Sequence, residues 1–205
     1  MTLTIVDYGM GNLRSVRNAV AYLGGSAQVS SDPAVIAGSD KLILPGVGSF
    51  RRAMENIRAR GLVEPLGEAI LGRKAPVLGI CLGMQLLATH GEEDGGAKGL
   101  GWIAGLVVPF RFDDPAIRVP HIGFNAAWAA SRASPVFGHL QEPTDFYFVH
   151  SYHLRCEDEA SVALWCDYHG RFCAGVEREN VFGTQFHPEK SQANGLAVLG
   201  RFLRV

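Results

Sequence analysis

Three short stretches hold residues whose types and spacing could do chemistry. In APVLGICLGMQLLATH, Cys81 stands between Gly79 and Gly83 where a strand-like apolar run turns into a helix-like one. A residue at such a turn is held in a strained backbone conformation, and glycines two positions to either side leave room for close approach, the logic of a nucleophile elbow. The start of a helix also favours the thiolate, the nucleophilic form. A thiolate in acyl transfer needs a base, and the base needs a partner to orient it. FGTQFHPEKS supplies both: Pro188 biases His187 to an extended conformation, and Glu189, two residues on, can turn back to fix the imidazole tautomer. Attack on an amide puts negative charge on oxygen, so two backbone N–H donors are required. Leu82, next after the cysteine, offers one; Val47, in the glycine-rich LILPGVGSF, offers the other. Each string alone has a plainer reading: a buried cysteine between packing glycines, a His-Pro turn capping a helix, a glycine turn opening a helix at Ser49.

Those groups must be positioned by alternating elements. LTIVDY and KLILPG are β-rich runs, and PVLGI is another. Between them GNLRSVRNAVAYLGG sets Leu13, Val16, Val20 and Leu23 on one helical face before Gly24-Gly25, and SFRRAMENIRARG through LVEPLGEAILGRK is helical in pattern. The alternation predicts an α/β fold with a central, mostly parallel sheet flanked by helices. From about Gly99 the texture changes to short β-like runs such as GWIAGLVVPF, DFYFVHSYHL, SVALWCDY and NVFGTQF, predicting an additional antiparallel or mixed β portion. The final SQANGLAVLGRFLRV spaces Leu196, Leu199 and Leu203 as a last helix. No linker or repeat divides the chain, so 1–205 is read as a single domain.

At 205 residues, 47% hydrophobic and 19% charged with net charge -1, the chain can bury a core unaided and has no global pull toward nucleic acid or anionic membrane. The opening MTLTIVDYGMGN lacks a basic region and a long apolar run, so a cytoplasmic protein is expected. Cys156, Cys166 and Cys173 sit in apolar stretches and are read as small buried hydrophobes; no spacing suggests a disulfide scaffold or zinc site, and neither metal nor cofactor is expected.

PGVG, GICLGMQLL and HPEKS, in that order and spacing, resemble the class I (triad) glutamine amidotransferases. The resemblance runs from Val6 to Ser191 and implies a flavodoxin-like fold. DYGMGNLRSV, RVPHIGFN and FYFVHSYH narrow it to a branch whose members are glutaminase subunits in histidine biosynthesis. It implies hydrolysis of L-glutamine to glutamate and ammonia through a thioester on Cys81, with His187 as base and acid and Glu189 as its orienter. The ammonia would pass to a (β/α)8-barrel cyclase forming a heterodimer with this chain, for synthesis of imidazole glycerol phosphate and an aminoimidazole carboxamide ribotide. The same resemblance places Gly48, Gln85, Glu93, His150 and Ser151 around the substrate: Glu93 near its α-amino group, His150 and Ser151 near its α-carboxylate. It puts Asn12, Phe124 and Lys190 at the docking face. Where the family usually reads Gly-Trp-Asn, this chain has Gly123-Phe124-Asn125, which keeps the apolar body and loses the indole N–H. His121 is assigned no catalytic role. Readings left beside this one are a glutaminase serving another synthase and a stand-alone cysteine hydrolase.

Overall fold

The computed structural model describes residues 2–131 and 133–205. In chain order β1 (Leu3–Val6), α1 (Leu13–Tyr22), β2 (Ala27–Ser30), α2 (Pro33–Ala37), β3 (Lys41–Gly46), α3 (Phe50–Ala59) and α4 (Val63–Gly67) lead through a π-helical turn to β4 (Val77–Cys81). Then follow α5 (Leu82–Gln85), β5 (Ala88–Gly91), β6 (Ala97–Lys98), β7 (Ile103–Pro109), β8 (His121–Ala129) and β9 (Thr144–His150). β10 (Tyr152–Cys156), β11 (Val162–Asp167), β12 (Arg171–Arg178), β13 (Val181–Thr184) and α6 (Gln192–Arg204) complete the chain.

One nine-stranded sheet has the order β2-β1-β3-β4-β13-β12-β11-β8-β9. Its β2-to-β13 half is parallel and the remainder antiparallel, so the change of texture near Gly99 marks a real change of pairing. β13, late in sequence, inserts beside β4 and so brings the residues after Thr184 to the end of the strand that carries Cys81. A second sheet, β10-β7-β5-β6, packs on the first where Cys156 of β10 meets Cys173 of β12, their sulfurs 4.0 Å apart. The central strands are buried on both faces: every residue of β3, β4 and β13 is buried, as parallel strands covered by helices require. Helix caps follow from residue type: Asn12, Asp32 and Ser49 each accept a backbone N–H at the start of a helix.

The helix after Cys81 is shorter than its apolar run suggests. α5 ends at Gln85, because the carbonyls of Leu86, Leu87 and Ala88 are taken by the N–H groups of Leu100, Trp102 and Gly101. Pairing across the second sheet overrides helix propensity. Among the described residues no helix is long and apolar enough to cross a membrane.

Candidate active site

Cys81 ends β4 with φ 55° and ψ −110°, a conformation that a side chain adopts only under constraint. The constraint is packing around the turn. A Cβ on Gly83 would lie 1.7 Å from the Leu44 carbonyl oxygen, and one on Gly79 would lie 2.7 Å from Gly83 O and Met84 N. Both contacts are with backbone, so neither is relieved by a side-chain rotation. Two glycines thus let β4 turn into α5 hard against β3, leaving the Cys81 thiol at the cleft floor, 4.0 Å from the Val149 carbonyl.

His187 emerges just beyond β13. Its N–H donates to Tyr147 O at 3.0 Å, its carbonyl accepts the Ser191 hydroxyl at 2.6 Å, and that hydroxyl oxygen accepts Tyr147 N–H at 2.9 Å, which clamps the turn to β9. The ring Nδ1 lies 2.8 Å from Glu189 Oε1, both side chains almost wholly buried. Glu189 therefore fixes the ring with Nδ1 protonated, and Nε2 has no hydrogen-bond partner among the described residues. Burial alone would push the His187 pKa down; the adjoining Cys81 and Glu189 overcome it and hold it at about 9.

A cleft of about 560 Å³ opens over this pair. Val47 and Gly48 form one lip, with Gly48 at φ 102°, and Leu82, Gln85 and Glu93 also line it. His150, Ser151 and Lys190 close the other side. The sequence-predicted catalytic and substrate-binding residues therefore share one cavity, apart from Glu189, which lies behind the His187 ring. A second cavity, of about 430 Å³ and bounded by Phe110, Arg111, His153 and Arg171, takes in none of them.

The structure also defines what each residue can offer. Glu93 Oε2 accepts the Phe50 N–H at 2.7 Å and so caps α3, leaving its other oxygen for the cleft; burial raises its carboxyl pKa. Neighbouring Asp94 accepts the Ser49 hydroxyl. Gln85 Nε2 donates to Tyr152 O at 2.9 Å and Gln185 Oε1 at 3.0 Å, which leaves its carbonyl oxygen as the group it can turn to a ligand. His150 has both ring nitrogens engaged, with Tyr152 O at 2.9 Å and His121 Nδ1 at 3.1 Å, and burial depresses its pKa to about 3. Neutral and fully bonded, it lines the cleft without a free N–H for a carboxylate. Gln185, whose Nε2 lies 3.7 Å from Cys81 Sγ, is a site residue whose type and spacing alone do not mark it in the sequence. Its contact spans 104 residues and only its place in TQFHPE, two residues before His187, could have drawn notice.

Phe124, 51% exposed, meets the Tyr147 ring at 5.6 Å, and Lys190 Nζ lies 5.9 Å from the same ring. Asn12 caps α1, which packs against the Pro188–Lys190 turn.

A family model described as class-I glutamine amidotransferase matches residues 4–204. An imidazole glycerol phosphate synthase subunit HisH from Syntrophotalea carbinolica is 48% identical over 98% of this chain and 98% of its own. One from Rhodopirellula baltica is 50% identical over 98% of this chain and 96% of its own. Among solved structures, that of PurLQS from Thermotoga maritima superposes with a TM-score of 0.76 at 19% identity, covering 99% of this chain and 97% of the other. A structure described as a glutamine amidotransferase gives 0.76 at 18%, covering 98% and 97%. At such identities these two likenesses establish the fold.

Proposed function

The chain belongs to the class-I glutamine amidotransferases, and from that premise we propose that it is the glutaminase subunit of an imidazole glycerol phosphate synthase, releasing ammonia from L-glutamine for a cyclase subunit. The observation that carries the chemistry is the unpartnered, cleft-side Nε2 of a histidine whose Nδ1 is fixed by Glu189, beside a cysteine held at a strained strand-to-helix turn.

With the substrate carboxamide over Cys81, the sulfur attacks the amide carbon and its proton goes to His187 Nε2. The Cys81 and Glu189 charges favour the imidazolium up to about pH 9, so the proton from the sulfur is held on His187 for the next step. The C=O electron pair moves onto oxygen, towards the N–H groups of Val47 and Leu82; losing one such donor typically costs about 2.7–4 kcal/mol. The C–N bond then breaks as His187 gives its proton to the leaving nitrogen, forming ammonia and a γ-glutamyl thioester. Water attacks the thioester with His187 as base, and glutamate leaves. Gly48, Gln85, Glu93 and Ser151 orient the rest of the substrate, Glu93 with the oxygen not spent on Phe50. His150 acts by shape and by holding Tyr152 O, not as a carboxylate donor.

Partner docking is assigned to the surface carrying Phe124, Lys190 and Asn12. There Ile122 and Phe124, two residues apart on β8, expose large apolar surface beside the Lys190 charge. A (β/α)8-barrel cyclase is the partner proposed, and 1–205 is read as one glutaminase domain. Four free cysteines suit a reducing, cytoplasmic setting. The test is glutamate release from L-glutamine by the chain alone and with a nucleotide-loaded cyclase. Release that rises with the cyclase and vanishes in Cys81→Ala supports the reading; release indifferent to Cys81 rejects it.

A further inference from the structure

Gln185 is fully buried, and the reaction steps above give it no part. Its Nε2 lies 3.7 Å from Cys81 Sγ, and its Oε1 accepts from Gln85 Nε2 at 3.0 Å. The other Gln85 amide hydrogen goes to Tyr152 O, 2.9 Å away, and the same carbonyl is 2.9 Å from His150 Nδ1. Beyond it, His150 Nε2 is 3.1 Å from His121 Nδ1, and His121 Nε2 is 3.2 Å from Asn125 Nδ2.

The direction of every bond is fixed by the ends. Asn125 Oδ1 accepts the Ala126 N–H at 2.8 Å and its Nδ2 donates to Asp167 O at 2.8 Å, so the amide can sit only one way round. Its remaining hydrogen points to His121 Nε2, which must accept; His121 Nδ1 then donates to His150 Nε2, and His150 Nδ1 donates to the Tyr152 carbonyl. Burial holds the His121 pKa at about 4 and that of His150 at about 3, so at neutral pH each ring has the one hydrogen and one lone pair this arrangement needs. His121 is further locked between the rings of Phe148 at 4.8 Å and Tyr168 at 4.0 Å, both nearly parallel to it. A carbonyl cannot pass a proton on, so the chain transmits position, not charge.

We propose that Gln185 is a positioning residue for the Cys81 sulfur and the inner end of this chain, which ties the thiol to β8 at Asn125, next to the exposed Phe124. The inference rests on Cys81 being the acylating group. A shift of β8 moves Asn125 and His121, and the effect arrives at the sulfur through the Gln85 and Gln185 amides. A partner pressing on Phe124 thus has a continuous bonded route to the nucleophile.

The test uses the full chain and two readouts: glutamine hydrolysis, and the rate of Cys81 alkylation by iodoacetamide against pH, read by peptide mass. Gln185→Leu, which removes both amide ends at similar volume, is expected to lower kcat about tenfold with KM little changed, the size of losing a hydrogen bond to a charged group. Gln185→Glu keeps the shape and faces the sulfur with a carboxylate, so its alkylation profile moves to higher pH; it carries the same test if Gln185→Leu melts below assay temperature. His121→Phe is expected to lower kcat in the parent and to change nothing further in the Gln185→Leu background, as coupled sites require. Parent-like kcat and alkylation in both Gln185 variants would overturn the positioning role. Equal losses from His121→Phe in both backgrounds would overturn the chain. Hydrolysis that persists in Cys81→Ala would instead reject the reading of Cys81 itself.

Discussion

Replacing Glu189 by glutamine keeps an acceptor oxygen within reach of His187 Nδ1 and removes only the charge. In the folded protein, burial disfavours the charged imidazole, yet Cys81 and Glu189 together hold its pKa at about 9. From an ordinary value of 6.5 this is a net stabilisation of the charged ring by about 3 kcal/mol, at about 1.36 kcal/mol per unit. That net figure is what remains after burial has opposed it, and Cys81 and Glu189 both contribute, so Glu189→Gln should lower the His187 pKa by about one unit or more. Because the folded value lies above the unfolded one, the stability His187 contributes is fully present below about pH 6.5 and is lost as pH rises through about 9. The variant should lose less stability across that window and lose it at lower pH, and its kcat should fall. Ring titration of His187 by NMR and urea unfolding at pH 6 and above pH 9 measure the two effects. An unmoved His187 midpoint, or equal loss of stability in both proteins, would refute the reasoning.

Gly83→Ala puts a methyl group onto the Leu44 carbonyl, so it should destabilise the fold by about 3 kcal/mol or more and lower turnover; an unchanged melting temperature would contradict this. Lys41, fully buried, donates to the carbonyls of Phe202, Leu203 and Val205, and burial lowers its pKa. Lys41→Met should cost about 2–4 kcal/mol in urea unfolding and expose α6 to hydrogen exchange, since the end of that helix loses its donor. Lys190→Ala should reduce cyclase-stimulated glutamate release more than release by the chain alone; equal loss in both assays rejects a docking role.

Local spacing made the elbow legible. Gly79, Cys81 and Gly83 stand at intervals that only one kind of turn needs, and the geometry at those positions supplies the reason. His187 and Glu189 are two residues apart, so their pairing was also a local matter. What escaped was set by distant partners. Lys41 heads an apolar strand like an ordinary surface lysine, but its amine is buried at the end of α6, more than 160 residues on. The run after Cys81 reads as a longer helix until strands of a second sheet claim its carbonyls. His121 and Gln185 sit inside the strings RVPHIGFN and TQFHPE, but their importance lies in bonds to residues that only the fold brings near.

The central claim is that Cys81 forms the covalent intermediate in the cleft it shares with His187. The direct measurement is the mass of the peptide carrying Cys81 after rapid quenching with L-glutamine during turnover with the cyclase. A γ-glutamyl group on Cys81, absent in Cys81→Ser and cleared on further incubation, is the expected result. Sustained glutamate release with no adduct on Cys81, or with the adduct on another residue, would contradict it.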